Sequence, residues 1–140
     1  MKVRNPHTKL VNAILVELSK RPNIVAMKGQ SGVGFSISGH RVMRFGRPGF
    51  PDILAFWRFD IPTPRVKGAG GFQPHEYLHP VTVGQAVLIE VKTGQGRQSK
   101  EQKDFQAAVA RGGALYVIAR SVEDALAVFD GQSPADGIPA

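Results

Sequence analysis

The sequence has no cysteine. Disulfide bridges, cysteine-held zinc and thiol chemistry are excluded with it. Acidic residues are also scarce: 11 Asp and Glu stand against 18 Lys and Arg, a formal charge of +7 and a pI near 10.2. Such an excess favours a polyanionic partner through counterion release. The plainer reading is a solvated basic surface. There is no internal repeat and no low-complexity tract. No long apolar run follows the polar stretch Met1–Pro6, so neither a signal peptide nor a membrane span is expected. A cytoplasmic chain without a membrane partner is the default expectation.

The elements that are present read as one α/β domain over residues 1–130, followed by a flexible tail over residues 131–140. Asn5-Pro6 suits a helix start, and Leu10, Val11, Ile14, Leu15 and Leu18 form one helical stripe behind it. Ile24 to Met27 reads as a strand, and the glycine-rich Gly29–Gly34 as a loop. His40 to Phe45 suggests an exposed basic strand. Arg47 to Pro51 is a turn, and the apolar Ile53–Trp57 a strand behind it. Asp60 to Gly84 carries Pro, Gly and His without periodicity and reads as a long hairpin-like excursion or loop.

The run Ala86-Val87-Leu88-Ile89 suits a central strand buried on both faces. Ser99-Lys100-Glu101-Gln102 is a capping-box opening for a helix that ends at Gly112-Gly113. Ala114–Ala119 is a further buried strand, and Ser121 caps a short last helix through Phe129. This order implies a mixed central sheet flanked by helices.

Three ionisable groups stand where apolar strands meet solvent. Asp52 opens one strand after a proline-bounded turn, and Glu90 and Lys92 close another. Residues two apart on a strand share a face, so Glu90 and Lys92 point one way and Val91 the other. An acid at the end of an apolar strand is costly unless a cation neutralises it. If Asp52 lies on a neighbouring strand, its carboxylate and that of Glu90 converge. With the Val91 carbonyl and water they form an all-oxygen site suited to Mg²⁺ or Mn²⁺. The plainer reading makes Glu90 and Lys92 strand-end charges and Asp52 a turn residue.

Phe50-Pro51-Asp52-Ile53, then Ile89-Glu90-Val91-Lys92, then Ser99-x-x-Gln102, resembles the PD-(D/E)XK nuclease superfamily. More narrowly, the chain resembles the virus-type replication–repair nuclease (VRR-NUC) family. Ser31-Gly32, Gly49, and Gly113 with Tyr116 and Ser121 add to the likeness, which spans the first helix to about Phe129. The resemblance implies a restriction-endonuclease-like core with Asp52 and Glu90 as metal ligands and Val91 contributing its carbonyl. It implies Lys92 as the catalytic lysine and Gln102 as the glutamine that completes the site. Gln102 could also serve as the capping partner of Ser99. The family usually places a Glu in the first helix where this chain has His7. A histidine there can bind Mn²⁺ or poise a water but is a poor Mg²⁺ ligand, so His7 reads either as a site residue or as a helix-end histidine.

The long separation of Asp52 and Glu90 holds Arg65, Lys67, His75 and His79, read as a DNA-contacting excursion or a dimerisation arm. Arg41, Arg44, Arg47, Arg97, Lys100 and Lys103 flank the candidate site in sequence and suit phosphate contacts. The resemblance implies a metal-dependent DNA endonuclease in a bacterial cell or phage-infected host. By analogy with stand-alone relatives it would act as a homodimer on branched DNA, a four-way junction or a flap. The alternatives are a non-catalytic DNA-binding module on the same scaffold, and a fold-level lookalike with no nucleic-acid role.

Overall fold

The computed structural model describes residues 5–29, 32–35, 42–45, 47–61 and 81–131. Helix α1 spans Pro6–Ser19, with proline in its first turn and the Asn5 side chain accepting from the His7 N–H. Such a cap contributes about 1 kcal/mol. Val11, Ile14 and Leu18 of α1 are fully buried, as the helical stripe requires; each such burial stabilises by roughly 1.5–3 kcal/mol.

Strand β1 (Ile24–Lys28) follows, then a two-stranded antiparallel ribbon of β2 (Gly32–Phe35) and β3 (Val42–Phe45). Strands β4 (Ile53–Ile61) and β5 (Val81–Val91) pair antiparallel, from Ile53 opposite Ile89 to Ile61 opposite Val81. Helix α2 (Lys100–Arg111), strand β6 (Leu115–Ala119) and helix α3 (Val122–Asp130) complete the order. The main sheet runs β1-β4-β5-β6, with β1 and β4 antiparallel and β5 and β6 parallel. It is the mixed α/β sheet expected.

Alternation sorts the sheet into two faces. Ile53, Ala55, Trp57, Val87, Ile89, Val91 and Ala119 meet α1 and α3 in one core, where the Trp57 and Phe129 rings pack edge to face at 5.6 Å. The opposite face carries α2, whose buried Phe105 meets Phe50 edge to face at 5.6 Å. β5 is therefore the central, doubly covered strand that its aliphatic run indicates.

Two expectations need correction. Gly32–Gly34 are not loop: they pair with Met43–Phe45, because backbone pairing alone is enough to hold a glycine-rich ribbon. The residues at both ends of Asp60–Gly84 are strand, with Asp60 opposite Thr82 and Arg58 opposite Gly84. The extra rungs are a cross-strand effect, fastened by the Thr82 hydroxyl donating to Asp60 Oδ1 at 2.7 Å. Residues 62–80, with Arg65, Lys67, His75 and His79, lie outside the described residues, as do Ser31, Arg41 and the tail from 132. Among the described residues no helix is long and apolar enough to cross a membrane.

Candidate active site

The site is assembled at the end of β5, where four elements meet. Asp52 occupies the bend before β4, and two glycines hold that bend in place. Gly29 donates its N–H to the Asp52 carbonyl at 2.6 Å, and a Cβ there would overlap the Pro51 carbonyl. Gly49 sits at φ +83° against the Glu101 carbonyl at the start of α2, with no room for a side chain. Only glycine combines that dihedral with that approach. The Asp52 side chain is thereby turned onto β5, where its Oδ2 accepts the Val91 N–H at 2.8 Å. The Ile53–Ile89 pairing, continued one step, sets Asp52 beside Glu90.

Glu90 is 3% exposed and is the buried charged residue among those described. Its carboxyl is held above the ordinary carboxylate range, chiefly by burial and further by the negative charge of Asp52. Hydrogen bonds and charge from Lys92, and a bond from Gln102, act in the opposite direction. Lys92 Nζ lies 2.8 Å from Glu90 Oε1 and donates to Gln102 Oε1 at 2.9 Å. The Gln102 amide nitrogen in turn donates to Glu90 Oε1. Gln102 is the capping partner of Ser99 and, with the same side chain, touches Glu90 and Lys92. Its N–H donates to Ser99 Oγ at 3.2 Å, while its Oε1 accepts the Ser99 N–H at 2.9 Å, closing the capping box that starts α2.

His7, from the first turn of α1, brings Nε2 to 3.2 Å from Asp52 Oδ2. The structure therefore gathers His7, Asp52, Glu90, Lys92 and Gln102 from four separate stretches of chain. Val91 lies between them with its side chain in the α1–α3 core.

The basic residues are less unified. Arg47 stacks over the Phe105 ring with its guanidinium carbon 5.5 Å from the centroid. Lys100 pairs with Asp104 at 2.7 Å on the exposed side of α2. Arg97 and Lys103 are exposed, near the site in sequence. Arg44 lies on β3 with its side chain outside the described residues.

Two residues given no role by the sequence reading belong to the site. Tyr116 pairs with Leu88 across β5 and β6, on the face that carries Glu90. Its hydroxyl is buried without a hydrogen-bond partner among the described residues. Burial, with the charges of Glu90 and Asp52 and against the opposing influence of the nearby Gln98 side chain, pushes it up to about 12, so it stays protonated as a donor. A lone hydroxyl in the apolar run Leu115–Ala119 does not by itself mark that role. Arg120 grips the carbonyls of Gly94 and Gly96 at 3.0 and 2.8 Å, bracing the loop that joins Lys92 to α2. Nothing local in the sequence marks that role.

No protein-family model, curated protein or solved structure matches the chain. Chemical fit is therefore judged on the residues themselves. Among those described, no group of three or more His, Asp or Glu side chains is gathered closely enough to hold a metal. Asp52 and Glu90 are two adjacent carboxylates, the set of hard oxygen donors with which Mg²⁺ is commonly held while it keeps most of its water. They fit such an ion.

Proposed function

We propose that this chain is a Mg²⁺- or Mn²⁺-dependent DNA endonuclease built on a PD-(D/E)XK core of the VRR-NUC kind. The observation that carries the reading is the buried Glu90 joined to Lys92 and Gln102 directly beside Asp52. Structural charges at a strand end face solvent, whereas these are drawn inward at a cost that function repays. The sheet order, with one helix on the site's face and two behind it, agrees with the reading.

Asp52 and Glu90 would hold the ion, with the Val91 carbonyl as a third oxygen. When bound, the ion lowers the pKa of a coordinated water and offsets charge on the phosphate. Lys92 supplies a compact positive charge on the same side, suited to orienting the attacking water or the scissile phosphate. Gln102 fixes the rotamers of both Glu90 and Lys92. His7 orients Asp52 from α1. The net charge of +7, with Arg47, Arg97, Lys100 and Lys103, suits a phosphate backbone, and Arg41 and Arg44 extend that set. A homodimer that places two such sites on a four-way junction or flap is the substrate arrangement we favour.

The test is cleavage of a labelled junction, flap and linear duplex in EDTA, Mg²⁺ or Mn²⁺. Metal-dependent cutting is expected, with paired cuts in the junction. Glu90→Ala and Asp52→Asn should lower the rate at least ~10³-fold, the scale of losing a preorganised electrostatic group. Equal cutting of all three substrates would remove the preference for branched DNA. Binding without cutting in either metal would leave a non-catalytic DNA-binding module.

A further inference from the structure

Each carboxylate of the site already has a partner from the chain itself. Asp52 Oδ2 is met by the Val91 N–H and by His7. Glu90 Oε1 is met by the Lys92 ammonium at 2.8 Å and by the Gln102 amide. This is the oxygen of Glu90 on which both donors converge, and the Lys92 side chain is itself only 15% exposed. A dication held by either oxygen of Glu90 would sit close to that ammonium. Charges of +1 and +2 about 4 Å apart repel by at least about tenfold in affinity even at the dielectric constant of water.

The same geometry offers the ammonium somewhere to go. Gln102 Oε1, a neutral acceptor, lies 2.9 Å from Lys92 Nζ. That amide is anchored at the start of α2 by its bonds with Ser99.

We propose that Lys92 is a built-in counter-ion which competes with a divalent cation for Glu90, and that Gln102 retains the ammonium within the site when the ion draws the carboxylate away. The proposal rests on the metal-dependent reading of Asp52 and Glu90. Its consequence is that one lysine does two opposed things. It satisfies a buried carboxylate in the free protein, and it weakens binding of the ion the reaction needs. The exchange also couples the steps: the lysine is freed to face phosphate only where the ion has arrived.

The test is a calorimetric titration of Mn²⁺, and separately Mg²⁺, into the metal-free full chain without DNA at about pH 8. Lys92→Met keeps the apolar stem and drops the charge, so it is expected to bind about tenfold tighter than wild type. Lys92→Gln, which keeps a donor to Glu90, should tighten binding as well, and covers the case in which the methionine variant does not fold. Both should have lost cleavage. Asp52→Asn should bind at least tenfold more weakly.

If wild type binds the ion and neither Lys92 variant binds it more tightly, the counter-ion proposal is overturned while the metal site stands. If wild type shows no more heat than Asp52→Asn, the metal reading is overturned and this proposal with it.

Discussion

Glu90 shows what a single buried carboxyl imposes on the fold. In the unfolded chain it ionises near its ordinary value of 4.5; in the folded chain burial holds it higher. A carboxyl raised on folding favours the folded state most below the unfolded value. That contribution is lost as pH climbs through the raised one. Glu90→Gln removes the cost of the buried charge. In EDTA the variant should melt within about a degree of wild type below about pH 4.5. The variant should gain in melting temperature relative to wild type as pH rises. A gap that is constant across pH would show that Glu90 is not ionised at cost inside the fold.

Asp52, Glu90 and Lys92 were legible as candidates because each interrupts an apolar pattern at a definable place, and Gln102 through its capping-box spacing from Ser99 and the family resemblance. The contacts among them were legible only as a condition, since they depend on β4 lying next to β5. Tyr116 was not legible: an isolated Tyr in an apolar strand looks the same whether its hydroxyl meets water or a carboxylate's field.

Among the elements, the loop from Thr93 to Gln98 has the largest influence for its length. It joins the end of β5 to the cap of α2, and so sets the distance between Lys92 and Gln102. Gly96 bonds back to the Thr93 carbonyl at 3.1 Å, and the Arg120 guanidinium holds two of the loop's carbonyls from beyond β6. A lysine has the charge but not the planar fork. Arg120→Lys is therefore expected to slow the cleavage proposed above by ~10-fold or more with KM little changed, since misplacing a catalytic group is costly. Amide exchange in the loop should quicken. Unchanged exchange with a raised KM would make Arg120 a phosphate contact instead.

Helices and strands were readable from their spacing and caps, but β6, expected to be buried, lies at the edge of the sheet with Ile118 exposed and Ala119 alone fully buried. What was not readable came from pairing between distant residues. Nothing in the local composition of Thr82-Val83-Gly84 announces a strand, but a partner strand already runs alongside at Arg58–Asp60. In the same way Gly32–Gly34 gain a ladder only because Met43–Phe45 return beside them.

For the molecule as a whole, charge is the property that composition states most directly. A chain at +7 that binds a phosphate backbone releases counterions. Its affinity for DNA in EDTA should fall about 100-fold or more between roughly 50 and 200 mM salt, measured by anisotropy. A nearly flat dependence would mean that the excess charge is only a solvated surface. The architecture was readable at the level of layers, a mixed sheet flanked by helices; how the helices divide between its faces was not. The sequence does not contain the geometry that converts five scattered residues into one site, because that geometry belongs to the sheet.

Gln102 belongs at once to the first turn of a helix and to the group that grips Glu90 and Lys92. First turns are the part of a helix that opens most readily, at a free energy well below that of the whole fold. Every opening of that turn takes the amide off the carboxylate and leaves the lysine without its second acceptor. The site is therefore expected to loosen on warming before the sheet behind it does, which amide exchange at Gln102 against that of β5 would show.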